Sequence, residues 1–155
     1  MILASRSAPL AKPQALAAAA ALPRGHGEVI LVVDDEPGIR EATSRALTSH
    51  GYQALCAADG TEAVALYAQP AHQVQLVVTD LMMPFMDGLA LARALKKLNP
   101  AVKIIVSSGL ASGADREAKI TELRALGVTR FLSKPYSAEE ILTELHEALS
   151  SPPSA

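Results

Sequence analysis

From Glu28 onward the chain alternates five times between a short run of β-branched and aliphatic residues and a longer segment whose apolar positions recur every three to four residues. The short runs are Val29 to Val33, Tyr52 to Cys56, Leu76 to Thr79, Lys103 to Ser107 and Arg130 to Leu132. Three of them are apolar enough to be covered on both faces, the pattern of parallel strands with helices above and below. The longer segments present stripes such as Ile39, Ala42, Ala46 and Leu47 in the first, Leu91, Leu95 and Leu98 in the third, and Ile141, Leu142, Leu145 and Leu149 in the fifth. Gly51 and Gly127 stand where a helix hands over to a strand. Asn99-Pro100 stops the third helix, and Ser137-x-x-Glu140 is a capping box opening the fifth. Right-handed crossovers then predict an α/β fold, a doubly wound five-stranded parallel sheet in the order 2-1-3-4-5. Its ligand site is expected at the carboxyl edge between strands 1 and 3.

The 155 residues suit one domain, expected over residues 28–150, with an Ala/Pro-rich tail or linker over 1–27 and a disordered end over 151–155. The tail holds Arg6, Lys12 and Arg24 and no acid, so the rest of the chain has eleven bases against sixteen acids, a net charge of about −5. Its apolar stretch, Ala15 to Leu22, is short and Ala-dominated, and prolines precede it, so it reads as an arm rather than an export signal. An acidic body with only 3% aromatic residues argues against direct nucleic-acid binding, and no apolar run approaches the ~20 residues of a membrane span. A single cysteine, Cys56, excludes an internal disulfide and fits a reducing, cytoplasmic location. His26, His50, His72 and His146 show no metal-ligand spacing and read as solvated or partly packed side chains.

Asp34 and Asp35 follow the first strand and Asp80 the third, which gathers three carboxylates at the predicted ligand edge. Singly, Asp35 would pass as a helix cap and Asp80 as a turn residue. Together they repel one another unless a cation neutralises them, and hard oxygen donors suit Mg²⁺. Ser108-Gly109 and Lys134-Pro135 end strands 4 and 5, adding a hydroxyl and an ammonium. Metal, ammonium and hydroxyl together form a set that binds a phosphoryl group.

The strand-end groups Asp34-Asp35-Glu36, Asp80-Leu-Met-Met-Pro84-Phe-Met86-Asp87-Gly88, Ser108-Gly109 and Lys134-Pro135 resemble the receiver domain of two-component response regulators. The resemblance spans residues 28–150 and is nearest to receivers attached to hybrid histidine kinases. It implies that Asp80 is the phosphoacceptor, taking a phosphoryl group from a phosphohistidine by carboxylate attack. It implies Mg²⁺ held by Asp34, Asp35, Asp80 and the backbone carbonyl of Met82. Ser108 would hydrogen-bond the phosphoryl group, Lys134 would pair with the phosphorylated Asp80, and Pro135 would follow a cis bond. Phe131 would be the aromatic that turns inward as Ser108 moves, although as a lone aromatic it fits core packing equally well. The partners implied are a histidine kinase or histidine phosphotransfer protein, and a downstream protein or second copy on the face of helix 4, strand 5 and helix 5. No output domain is expected after Leu149, so signalling would pass through the receiver's own surface.

Two apolar residues, Met82 and Leu110, stand two positions after Asp80 and Ser108, where they neither hold nor activate a hydrolytic water. A long-lived phosphorylated state is therefore expected. The segment Leu110 to Leu126, with Gly113 inside it, leaves the start of the fourth helix open. The chief alternative is a receiver-shaped protein–protein interaction module independent of phosphorylation. A haloacid-dehalogenase-type phosphatase would need Asp-x-Asp after strand 1, where Glu36 occupies the second position. A flavodoxin-like nucleotide or flavin binder would need a phosphate loop there in place of three acids.

Overall fold

A computed structural model describes residues 22–109 and 113–152. The elements run β1 (Val29–Val33), α1 (Pro37–Ser49), β2 (Gln53–Ala57), α2 (Gly60–Ala68), a short 3-10 turn (Pro70–His72), β3 (Val74–Asp80), α3 (Gly88–Leu98), β4 (Ile104–Ser108), α4 (Ala114–Ala125), β5 (Arg130–Ser133) and α5 (Ala138–Ser150). The strands form one parallel sheet in the order 2-1-3-4-5, the predicted doubly wound α/β topology.

Because successive strand side chains point to opposite faces, each strand feeds two cores. Leu31, Val33, Val77, Ile104 and Val106 pack with Ala63 of α2, Leu91 and Leu95 of α3 and Leu123 of α4. Ile30, Val32, Leu76, Val78 and Ile105 pack on the other face with Leu47 of α1 and Ile141, Leu142 and Leu145 of α5. Burying each such aliphatic side chain contributes about 1.5–3 kcal/mol, so the central strands are fixed from both sides.

Several boundaries differ from the sequence expectation. β2 is displaced by one residue, Tyr52 being a buried residue of the preceding turn. Gly51 there has φ +90, and a Cβ would lie 2.4 Å from the Gly25 carbonyl oxygen, so only glycine fits. β3 begins two residues early and ends one late, taking Asp80 into the sheet, where it pairs with Ser107. β4 likewise ends on Ser108, opposite Ser133.

Residues 22–27, assigned to the tail by composition, lie against the body. Gly25 and Gly27 amides donate to the His50 and Gly51 carbonyls at 2.6 and 2.8 Å, and Leu22 packs on the α1/α5 core. At the other end, Lys103 Nζ donates to the Ser151 carbonyl at 2.8 Å and Arg130 to the Ser151 hydroxyl at 3.0 Å. Residues 1–21, 110–112 (with Leu110) and 153–155 lie outside the described residues. Among the described residues no helix is long and apolar enough to cross a membrane.

Candidate functional site

The sheet register assembles the site. β1 ends at Val33 beside Thr79 of β3, so Asp34 emerges next to Asp80; β4 ends on Ser108 and β5 on Ser133, so Lys134 emerges beside both acids. Backbone bonds continue each ladder past its strand: Leu81 N donates to Ser107 O at 2.8 Å and Lys134 N to Ser108 O at 2.7 Å. The chain then turns away from Asp80 and returns at Gly88, whose amide donates to the Leu81 carbonyl at 2.8 Å. A Cβ on Gly88 would lie 2.6 Å from the Asp80 carbonyl oxygen, so a side chain there would push the loop off the acid.

Asp34, Asp80, Ser108 and Lys134 are all buried. Lys134 Nζ lies 2.8 Å from Asp34 Oδ2, 3.1 Å from Asp80 Oδ2 and 3.5 Å from Glu36 Oε1. Asp34 is fixed by its own loop, its Oδ1 accepting from Glu36 N at 2.9 Å and its carbonyl from Arg40 at 2.6 Å. The Lys134–Pro135 peptide is cis. Burial pushes the Asp80 carboxyl above its ordinary range and the Asp34 charge adds to this, against the pull of Lys134. Burial alone would lower the Lys134 ammonium, but its hydrogen bonds and charge pairs with Asp34 and Asp80 prevail and hold it well above an ordinary lysine.

Carboxylate oxygens of Asp34, Glu36 and Asp80 lie within 4.8 Å of one another. Against Lys134 these three acids keep two negative charges in excess, and hard oxygen donors in that number fit a divalent ion such as Mg²⁺. Asp35 is exposed and stands outside this group, which Glu36 joins instead. Asp35 is not the helix cap either: Glu36 occupies the N-cap of α1, without a side-chain cap bond. The Met82 amide approaches Asp80 Oδ1 at 3.4 Å, while its side chain is half exposed. Phe131 is half-buried against the α3/α4 core, with the Arg124 guanidinium 4.9 Å from its ring centre.

Three further groups were not singled out from sequence. Arg116, near the start of α4, donates to Ser108 Oγ at 3.0 Å and lines the pocket above Asp80. Lys119 ties α4 to Asp87, the N-cap of α3, at 2.9 Å. Tyr136 bonds Thr43 at 2.8 Å beneath the site, its hydroxyl pushed above its ordinary range by burial and then by the Asp34 and Asp80 charges. For Lys119 the spacing of four from Asp115 was a signal. Arg116 and Tyr136 reach their partners only through the fold.

A buried carboxylate at a sheet edge, with an ammonium and a hydroxyl around one open pocket, can take up and hold a phosphoryl group. The chain is 38% identical over 120 residues to the sensor kinase CckA of Brucella abortus (strain 2308), covering 77% of this chain and 12% of that protein. It is 36% identical to the response regulator MprA of Mycobacterium sp. (strain KMS), covering 77% and 50%. The chain thus spans half or less of the length of these curated relatives. Among solved structures it resembles a CheY-like response regulator receiver domain protein from Methanospirillum hungatei JF-1, with a TM-score of 0.72, 28% identity and coverage of 79% and 94%. A receiver domain from Clostridium thermocellum gives 0.70 and 27%, with the same coverage. The sequence profile of the response regulator receiver domain matches residues 30–146, and the chain belongs to that family.

Proposed function

We propose that this receiver accepts a phosphoryl group on Asp80 from a phosphohistidine of a histidine kinase or histidine phosphotransfer protein. A carboxylate oxygen of Asp80 attacks phosphorus, the P–O bond forms, the P–N bond breaks, and the electron pair leaves on the imidazole nitrogen. Lys134, 3.1 Å from Asp80 Oδ2, stays protonated throughout and compensates charge gathering on the acyl phosphate. Ser108, at the end of β4, donates to a phosphoryl oxygen. Mg²⁺ would be held by Asp34, Asp80 and the Met82 carbonyl with Asp35 or Glu36, and it supplies charge neutralisation for the phosphoryl oxygens. The observation that carries this reading is the convergence of Asp80, Asp34 and Glu36 on one buried lysine beside Ser108.

Output then follows from a change in α4, β5 and α5, with Ser108 and Phe131 as the moving groups and a partner protein or second copy as the reader. A coupling of about 1–3 kcal/mol is enough to redirect such binding. The acid-rich site and Mg²⁺ requirement suit the cytoplasm. Half-exposed Met82 offers no polar group to a hydrolytic water, so the acyl phosphate is long-lived, and Met82→Asn shortens its half-life. Intact-mass spectrometry after incubation with acetyl phosphate and Mg²⁺ tests the reading. One added phosphoryl group, lost in Asp80→Asn and with EDTA, is expected. No gain with acetyl phosphate or a phosphohistidine donor would turn the reading to a phosphorylation-independent interaction module.

A further inference from the structure

We infer that Arg116 is a phosphoryl-binding residue, its guanidinium donating to the group carried by Asp80 alongside Ser108; this rests on the phosphoacceptor reading above. Arg116 is the third residue of α4 and shares one open pocket with Asp80, Ser108 and Lys134. One terminal nitrogen donates to Ser108 Oγ at 3.0 Å, the other to Glu117 at 3.0 Å, and among the described residues the buried Nε has no hydrogen-bond partner. A buried donor without an acceptor is costly to keep, and a phosphoryl group on Asp80 would bring acceptor oxygens into the pocket that Arg116 lines.

The chemistry at Ser108 points the same way. A guanidinium only donates, so the Ser108 oxygen is the acceptor of the Arg116 bond and its own hydrogen is left for another partner. Among the described residues no acceptor for that hydrogen is present. Arg116 thereby holds Ser108 as a donor toward the pocket, and its planar fork matches the paired oxygens of a phosphoryl group in a way a lysine does not. Glu117 does not satisfy Arg116 by itself: the pair joins neighbouring residues, and Glu117 is 68% exposed. Because Arg116 rides on α4, phosphorylation would pull that helix directly as well as through Ser108.

The test measures two quantities in Mg²⁺ buffer. One is the rate at which acetyl phosphate adds a phosphoryl group to Asp80, forming P–O and releasing acetate, read by intact mass. The other is the affinity for beryllofluoride as a phosphoryl analogue, read by calorimetry. Arg116→Gln is expected to lower both about tenfold, and Arg116→Lys, which keeps the charge without the fork, by about threefold. Thermal unfolding identifies any loss caused by misfolding. In a Ser108→Ala background, Arg116→Gln should still cost the same factor, since the contact is direct. Unchanged rate and affinity in Arg116→Gln would overturn the inference, as would a loss that vanishes in the Ser108→Ala background, which would leave Arg116 only positioning Ser108. A wild-type protein that gains no phosphoryl group would overturn the phosphoacceptor reading, and this inference with it. A wild type that gains one while Arg116→Gln matches it would overturn this inference alone.

Discussion

Helices α5 and α4 flank β5 and are of similar length, yet they are held by different forces. α5 buries Ile141, Leu142, Leu145 and Ala148 and opens on a capping box in which Ser137 and Glu140 satisfy each other's amides. α4 buries only Leu123, with Ile120 and Leu126 partly covered, and begins at Gly113 without a side-chain cap. It is tied at its flanks instead, by Arg93 to Glu122, by Lys119 to Asp87 and by Arg124 over the Phe131 ring. Each buried aliphatic contributes about 1.5–3 kcal/mol, whereas an exposed ion pair contributes about 0–1. An element held by the second kind of contact has a position that a coupling of about 1–3 kcal/mol can shift. α4 is also the helix that brings Arg116 to Ser108. The frame is therefore β1, β3, α1 and α5, and α4 is the more weakly held helix.

The largest effect expected is at the acid cluster, where Lys134 meets Asp34, Glu36 and Asp80. Lys134→Met leaves three gathered carboxylates without their ammonium and should cost about 3–5 kcal/mol at neutral pH without divalent cations, measured by urea unfolding. Because Lys134 holds its proton more tightly in the fold than in the unfolded chain, its contribution is complete below an ordinary lysine pKa of about 10.5 and fades only as pH rises beyond. A variant as stable as wild type would mean that the lysine does not anchor this edge. Next, Leu142→Ala in α5 should cost about 2–5 kcal/mol and Ile120→Ala in α4 about 1. Equal losses would erase the contrast between the helices.

Asp80→Asn should act in the opposite direction. A carboxyl whose pKa is raised by folding favours the fold while protonated, and that advantage is lost as pH rises from the ordinary carboxylate range through the folded value. Without metal at pH 7 the variant is therefore more stable than wild type, and the gap closes on acidification toward pH ~4. A melting series in which the gap does not narrow across that window would contradict the burial of Asp80. Smallest of all, a double-mutant cycle on Arg93 and Glu122, each half exposed, should give a coupling below about 1 kcal/mol that shrinks with salt.

Most of this frame was legible in the sequence because its signals are local. β-branched runs, helical stripes and the Ser137-x-x-Glu140 cap declare themselves within a few residues, and right-handed crossovers then force Asp34, Asp80, Ser108 and Lys134 to one edge. The structure departs from the sequence expectation where neighbours decide. Asp80 and Ser108 are strand residues because the ladders with β4 and β5 extend over them, and polarity alone reads as a strand's end. Glu36 rather than Asp35 joins the acid group because the loop after β1 turns at Asp34, which takes the Glu36 amide. Residues 22–27 looked like linker because their ties to the body are backbone bonds to the turn at Gly51, which composition does not reveal. Arg116 stands eight residues from Ser108, at no spacing that marks a pair.

The most direct test of the account compares hydrogen exchange in α4 and α5 before and after phosphorylation by acetyl phosphate, with Asp80→Asn as control. Amides over residues 114–125 are expected to change protection most, those of β5 and α5 less and those of β1 and β3 least, with no change in Asp80→Asn. A protein shown by mass to carry the phosphoryl group on Asp80, yet with exchange in α4 unchanged, would contradict it.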